Sequence, residues 1–110
     1  MNANAAVRTL GALAQQSRLT IFRALVQAGP SGVAAGDIGK RTRIAPSSLS
    51  FHLKELSHAG LVRSRQEGRF IFYAADYDKM NALIAFLTEN CCGGDDCRVA
   101  CAPPSKKRSS

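Results

Sequence analysis

The apolar residues of this chain change their spacing at Gly60, and that change constrains the fold more than any other feature. Before it, leucines recur at the spacing of one buried helix face: Leu49, Leu53 and Leu56. After it, the runs LVRSRQ and RFIFYAA are alternating or rich in β-forming residues. Glu67-Gly68 separates the runs and is typical of a two-residue hairpin loop, in which glycine supplies a positive φ. The pattern predicts a helix followed directly by a β-hairpin.

Two amphipathic helices are predicted in the N-terminal part of the chain. The first covers residues 4–15, and its apolar face comprises Val7, Leu10 and Ala14. Ser17 is the predicted N-cap of the second helix, because a serine hydroxyl can satisfy a free backbone N–H of the first turn. The sequence AGPSG ends this second helix, whose predicted apolar face comprises Leu19, Phe22 and Val26.

Two more helices are predicted, one before the leucine-striped helix and one after the hairpin. A short helix weakened by glycine covers residues 35–42. The leucine-striped helix then starts with Pro46 in its first turn, where Ala45 offers no side-chain cap. The last helix lies in DYDKMNALIAFLTEN; Asp76 caps it, and its apolar face comprises Met80, Leu83, Ile84 and Leu87. This order predicts a mainly α fold with a β-hairpin wing, the winged helix-turn-helix.

The length of 110 residues suits one small domain, which a shared dimer core would help to stabilise. We expect residues 1–92 to form a DNA-binding and dimerisation domain, and residues 93–110 to be a flexible tail that completes a cysteine cluster. No apolar run approaches the roughly 18 residues of a membrane span, and the N-terminus lacks the pattern of a signal peptide. We therefore expect a cytoplasmic protein with no membrane partner.

The basic residues are concentrated in the middle of the chain. The net charge is +7. Between Arg18 and Arg69 the sequence has nine basic residues against three acidic ones. Such a field suits DNA or an anionic membrane surface, because binding to phosphates releases condensed counterions. A solvated surface with a chance bias is the alternative.

The leucine-striped helix is the predicted recognition helix, with its outer face in a major groove. Between the leucines stand short hydroxyls, an aromatic ring and a cation suited to base edges, thymine methyls and phosphates: Ser47, Ser48, Ser50, Phe51 and Lys54. His52 either contacts a phosphate or packs as a structural residue. The hairpin carries the predicted phosphate or minor-groove arginines, unless they only line a solvated strand face: Arg63, Arg65 and Arg69.

These elements resemble one known family. LSFHLKELSHAGLVRSRQEGRFIFY is similar to the recognition helix and wing of the arsenical-resistance repressor (ArsR-type) family, and RLTIFRALVQAG is similar to its second helix. The resemblance covers roughly residues 7–90, and its most specific run is S-x-H-L-x-x-L-x-x-A-G-L-V, Ser50 to Val62. It implies a homodimeric repressor that binds an inverted-repeat operator and leaves it when a metal or metalloid binds.

The resemblance also implies a dimer interface formed by the first and last helices. Its predicted residues are Val7, Leu10, Leu83 and Leu87. On the sequence alone, the same apolar stripes equally fit the core of a monomer.

All four cysteines lie in TENCCGGDDCRVAC, residues 88–101. Members of the classical arsenic type have a cysteine pair at the short helix, where this chain has VAAGDIGK. Zinc-sensing members use Asp and His ligands on the last helix, which has no histidine here. The cysteine segment instead resembles a variant of the family whose arsenite site lies at the end of the last helix.

The chemistry of thiols agrees with that assignment. Trivalent arsenic and antimony are soft and prefer three thiolates, whereas zinc prefers four ligands. We predict Cys91, Cys92 and Cys97 as the ligands, with As(III) as inducer, Sb(III) as a second candidate and no organic cofactor. Cys101 is either a spare thiol or a fourth ligand that would admit zinc or cadmium. A thiol redox switch and an incidental cysteine-rich tail are the alternatives. A structural disulfide is not expected, because a bond between neighbours such as Cys91 and Cys92 forces unusual geometry.

An enzyme is not expected. A reductase of arsenate or of disulfides would need an activated thiolate beside a phosphate-type loop, or a C-x-x-C pair, and the sequence has neither.

Overall fold

The structure is a computed structural model that describes residues 1–94. The elements follow the predicted winged helix-turn-helix order, with one additional short strand: α1 (Ala3–Leu13), α2 (Gln16–Ala28), β1 (Val33–Ala34), α3 (Ala35–Thr42), α4 (Pro46–His58), β2 (Val62–Glu67), β3 (Phe70–Ala75), α5 (Tyr77–Leu87) and a 3₁₀ turn (Cys91–Gly94). Across the described part of the chain, no helix is long and apolar enough to cross a membrane. Cys97, Cys101 and nearly all of the predicted tail lie outside the described residues.

Helix α1 packs through small residues. Asn2 caps it, because its side chain accepts a hydrogen bond from the Ala5 N–H at 2.8 Å. Ala6 and Thr9 are its buried residues. The predicted apolar face of α1 is exposed in the single chain at all three of its residues and does not form a monomer core: Val7, Leu10 and Ala14. Small side chains let α1 approach α2, α4 and α5 and leave the larger ones outside.

Helix α2 begins at Gln16, two residues earlier than an N-cap at Ser17 would require. The side chain of Gln15 accepts a hydrogen bond from the Arg18 N–H at 2.9 Å, so the cap is Gln15 and Ser17 lies in the first turn. The apolar face is also rotated from the predicted one, because Leu19 is 44% exposed. The residues that α2 buries are Ile21, Phe22 and Leu25.

The core lies beneath the helix-turn-helix. Helix α3 has the predicted bounds, and Ile38 is its buried residue. The leucine stripe of α4 is buried as predicted, and no side chain caps the helix, whose N-cap position is Ala45. The buried cluster joins these helices to α2 and the sheet: Ile21, Phe22, Leu25, Val33, Ile38, Leu49, Leu53, Leu56, Leu61, Val62 and Ala75. The core therefore determines which side of α4 faces outward.

The wing belongs to an antiparallel sheet with the strand order β1-β3-β2. Sequence reasoning predicted two strands and missed β1, which is only two residues long. The predicted turn was also displaced by one residue. Glu67 pairs with Phe70, so the two-residue loop is Gly68-Arg69, with Gly68 at φ +62°. A positive φ at the first loop position is where a type II′ turn places its glycine.

Helix α5 has the predicted cap, Asp76, but it ends at Leu87 and so is shorter than the predicted segment DYDKMNALIAFLTEN. The Asp76 carboxylate accepts a hydrogen bond from the Lys79 N–H at 3.0 Å. The Tyr77 hydroxyl donates to the Val26 carbonyl at 2.9 Å and ties the start of α5 to the end of α2. The helix ends at Leu87, so the cysteines begin after a short turn and not at the last helical residue.

Candidate nucleic-acid interface and thiol cluster

The outward side of α4 carries the residues predicted to contact DNA. All five are exposed, on the side of the helix away from the buried leucines: Ser47, Ser48, Ser50, Phe51 and Lys54. Because no side chain caps α4, the backbone N–H groups of its first turn remain available as hydrogen-bond donors. Hydroxyls, a cation and free amide donors are the groups with which proteins bind phosphates and base edges.

His52 is packed against α2. It is half-buried, and its Nδ1 lies 3.4 Å from a terminal nitrogen of Arg18. Arg18 in turn donates from Nε to the Ala12 carbonyl at 2.7 Å, at the end of α1. These contacts match the structural reading of His52, in which the ring links the recognition helix to the helices behind it.

Within residues 1–94, Arg65 is held by three contacts. Its Nε forms an ion pair with Glu67, and a terminal nitrogen donates to the Ser31 carbonyl at 3.0 Å. Its guanidinium also lies 4.9 Å from the ring centroid of Phe72, its cross-strand partner. These contacts occupy much of the guanidinium, so Arg65 fastens the wing to the loop after α2.

Arg63 is paired with the cap of α5. Its Nε lies 3.0 Å from Oδ2 of Asp76. Donation from the Lys79 N–H is the largest influence that lowers the pKa of Asp76; burial opposes it, and Arg63 lowers that pKa further. A single carboxylate thus caps α5 and contacts the wing.

Arg69 and Lys54 are predicted DNA contacts whose charged groups form no ion pair within residues 1–94. Arg69 lies in the wing loop and Lys54 on α4, and both are exposed. Neither forms an ion pair with any residue of the described range 1–94. Phe70 follows Arg69 and is exposed, although sequence reasoning did not single it out. Its position directly after the hairpin loop was the available signal.

The structure describes two of the four cysteines. Cys92 adopts a left-handed conformation (φ +58°), and its sulfur lies 3.7 Å from that of Cys91. Two thiolates that bind one zinc-sized ion at about 2.3 Å each would lie about 3.8 Å apart in tetrahedral geometry. Cys91 is disulfide-bonded, and not to Cys92, because an S–S bond is only about 2.05 Å long.

No complete metal site lies within residues 1–94, where no three potential ligands from His, Cys, Asp and Glu cluster. The other two predicted ligands, Cys97 and Cys101, lie outside that range. A three-thiolate site would therefore need a sulfur from beyond Gly94 or from another subunit.

Residues 8–65 match a family model described as a helix-turn-helix domain. The arsenical resistance operon repressor of Bacillus subtilis (strain 168) is 34% identical over 91 aligned residues, covering 78% of this chain and 83% of that protein. Transcriptional activator HlyU of Vibrio cholerae is 33% identical over 86 residues, covering 78% and 77%. The structure of reduced HlyU superimposes with a TM-score of 0.66 over 83% of this chain and 93% of that one.

A further solved structure comes from Mycobacterium bovis. It is described as the homodimeric winged helix-turn-helix DNA-binding domain of Mb0332, a possible ArsR-family transcriptional regulator. It is 29% identical and gives a TM-score of 0.62, covering 79% of this chain and 81% of that one. The family model, over residues 8–65, includes all of α4 and the first part of β2.

Proposed function

Because this chain belongs to the arsenical-resistance repressor (ArsR-type) family of helix-turn-helix transcriptional regulators, we propose that it is a homodimeric operator-binding repressor released by As(III). It acts in the cytoplasm and is not an enzyme. Thiolates of the cysteine cluster bind the metalloid, and Sb(III) is the second candidate inducer.

The outward side of α4 is the single observation that carries the DNA-binding proposal. Its hydroxyls and Lys54 are exposed while the leucines on its other side are buried, so a major groove can receive it without disturbing the core. The charged wing lies beside it in sequence and offers Arg63 and Arg69 to phosphates. Repression, as opposed to activation, is proposed from the name of the Bacillus subtilis relative.

Exposed apolar side chains on two helices support the dimer. Val7 is 68% exposed and Leu87 58% exposed, and Leu10 and Ile84 are exposed as well. Helices α1 and α5 pack against each other, so these residues belong to one region of the chain. The homodimeric relative from Mycobacterium bovis supports the same assembly. Leu83, a predicted interface residue, is 6% exposed and has little area left to bury against a partner.

The sulfurs of Cys91 and Cys92 lie 3.7 Å apart, so one ligand can reach both of them once Cys91 is reduced. Cys97 supplies the third thiolate that As(III) requires, and Cys101 is a spare or a fourth ligand for zinc or cadmium. Because a disulfide sulfur cannot act as a thiolate, Cys91 must be reduced before it binds.

Operator release tests the proposal. A duplex selected from a random pool by the reduced protein is labelled, and its fluorescence anisotropy is followed during titration with As(III), Sb(III), Zn(II) and Cd(II). Replacement of Cys91, Cys92 or Cys97 by Ser should leave DNA binding intact and abolish the response to arsenite. Cys101→Ser is the matched control and should still respond. A Cys97→Ser protein that responds normally, or a Cys101→Ser protein that does not, would contradict the three-thiolate site.

A redox-responsive repressor is the second candidate, and the disulfide at Cys91 favours it. In that case oxidation of the thiols, and not metalloid binding, would release the operator. Hydrogen peroxide and arsenite are added separately to the reduced protein on its operator. A redox sensor should release the operator with peroxide, whereas a metalloid sensor should release it with arsenite while its thiols stay reduced.

A further inference from the structure

The ion pair between Arg63 and Asp76 joins the wing to the start of α5. We infer that Asp76 is a positioning residue that holds the Arg63 guanidinium in place for an operator phosphate. The inference rests on the proposed DNA-binding function and adds to it a residue that does not itself touch DNA.

The Asp76 carboxylate makes two contacts with two different oxygens. Oδ1 accepts the Lys79 N–H at 3.0 Å, and Oδ2 accepts Arg63 Nε at 3.0 Å. The two side chains differ in exposure: Arg63 is 71% exposed and Asp76 is 17% exposed. The acid is therefore recessed and the guanidinium extends beyond it. Among the described residues, Arg63 uses only Nε in a contact, so both of its terminal nitrogens stay available to a phosphate.

The backbone around Asp76 is anchored to the core. Its N–H donates to the carbonyl of Leu61 at 2.8 Å, and Leu61 is fully buried. Its carbonyl accepts the Met80 N–H at 3.1 Å. A fixed carboxylate restricts the rotamers of a long, exposed arginine before DNA arrives. Less conformational entropy is then lost when the guanidinium binds a phosphate.

A carboxylate near DNA also repels phosphates, so two effects of opposite sign compete. The recessed position of Asp76 favours orientation, because its side chain is 17% exposed while that of Arg63 is 71% exposed. Exposed ion pairs contribute modestly. We therefore expect a small loss of affinity when the pair is broken, about two- to fivefold.

Asp76→Asn separates the two roles of the side chain. Asparagine caps helices about as well as aspartate, so its single oxygen can keep the contact with Lys79. Its NH₂ group cannot accept a hydrogen bond from Arg63. Asp78→Asn is the matched control. Asp78 is exposed and lies in the first turn of α5, and its substitution removes the same charge as Asp76→Asn.

The experiment is a double-mutant cycle on the reduced full-length protein, with operator binding measured by anisotropy. Asp76→Asn should weaken binding about two- to fivefold in the wild-type background and not at all when combined with Arg63→Ala. Arg63→Ala alone should lower the slope of log affinity against log salt by about one. Asp78→Asn should not weaken binding, and thermal unfolding should show all variants folded.

Three outcomes would overturn the positioning role. Asp76→Asn could bind operator as well as or better than the wild type, which would mean that the carboxylate only opposes phosphates. It could weaken binding equally in the Arg63→Ala background, which would mean that it acts without Arg63. Asp78→Asn could weaken binding as much as Asp76→Asn does, which would mean that the loss of any negative charge at the start of α5 has this effect. A wild-type protein that selects no DNA would instead refute the proposed function, and the positioning role with it.

Discussion

The guanidinium of Arg65 lies 4.9 Å from the ring centroid of Phe72, directly across the β2–β3 ladder. The same guanidinium reaches the Ser31 carbonyl at 3.0 Å, in the loop that follows α2. Loop, β2 and β3 are thus joined by one side chain.

Arg65→Ala should destabilise the free protein by about 0.5 to 1.5 kcal/mol, because a partly exposed cation–π contact and a hydrogen bond are lost. Arg69→Ala is the matched control: it removes the same charge from the wing, and Arg69 forms no ion pair within the described residues. Chemical denaturation without DNA measures the difference. Equal stability of the two variants would show that Arg65 does not fasten the wing.

Lys54→Ala should weaken binding to any DNA sequence and lower the salt slope by about one, because one phosphate contact is lost. Its ammonium group is exposed on α4 and unpaired among residues 1–94. Arg23→Ala on α2 removes the same charge from a helix with no predicted DNA contact and should leave the slope nearly unchanged. Affinity measured over a series of salt concentrations provides the test, and identical slopes for the two variants would contradict docking through α4.

The stability contributed by Asp76 should be lost on acidification. Its pKa in the folded state is lowered, chiefly by the Lys79 N–H and also by Arg63. The ionised carboxylate therefore stabilises the fold fully above the ordinary aspartate pKa of about 3.9, and this contribution falls as the pH drops through the folded pKa. Wild type should exceed Asp76→Asn in unfolding free energy near about pH 7 and approach it near about pH 3. A difference in unfolding free energy between the two proteins that stays constant with pH would argue against the ionised Asp76–Arg63 pair.

Leu87→Asp should convert the proposed dimer into a monomer, because a charge would be buried in an apolar interface. Leu87 is 58% exposed in the single chain, so the substitution should not disturb the monomer core. Leu19→Asp on α2 is the matched control, at a similarly exposed leucine outside the proposed interface. Analytical ultracentrifugation at micromolar concentration should give a monomer for Leu87→Asp and a dimer for the control. A dimeric Leu87→Asp protein would place the interface elsewhere.

Features that depend on neighbours along the chain were predicted correctly. The leucine stripe of α4, the bounds of α3 and the Asp76 cap follow from spacing and capping chemistry within one or two turns. Errors arose where two local signals competed. Gln15 and Ser17 can both cap α2, and a glycine at position 68 allows the hairpin loop to begin at Glu67 or at Gly68.

The sequence by itself therefore determined the order of helices and strands, the outward side of α4 and the separation of the cysteines from the rest of the chain. Tertiary structure decided which arginines of the wing form ion pairs within the described residues and which do not. Asp76 is 13 residues from Arg63, and Ser31 is 34 residues from Arg65. Such pairs meet only after strand register and packing bring distant segments within a few ångströms, and no periodicity in the sequence encodes that distance.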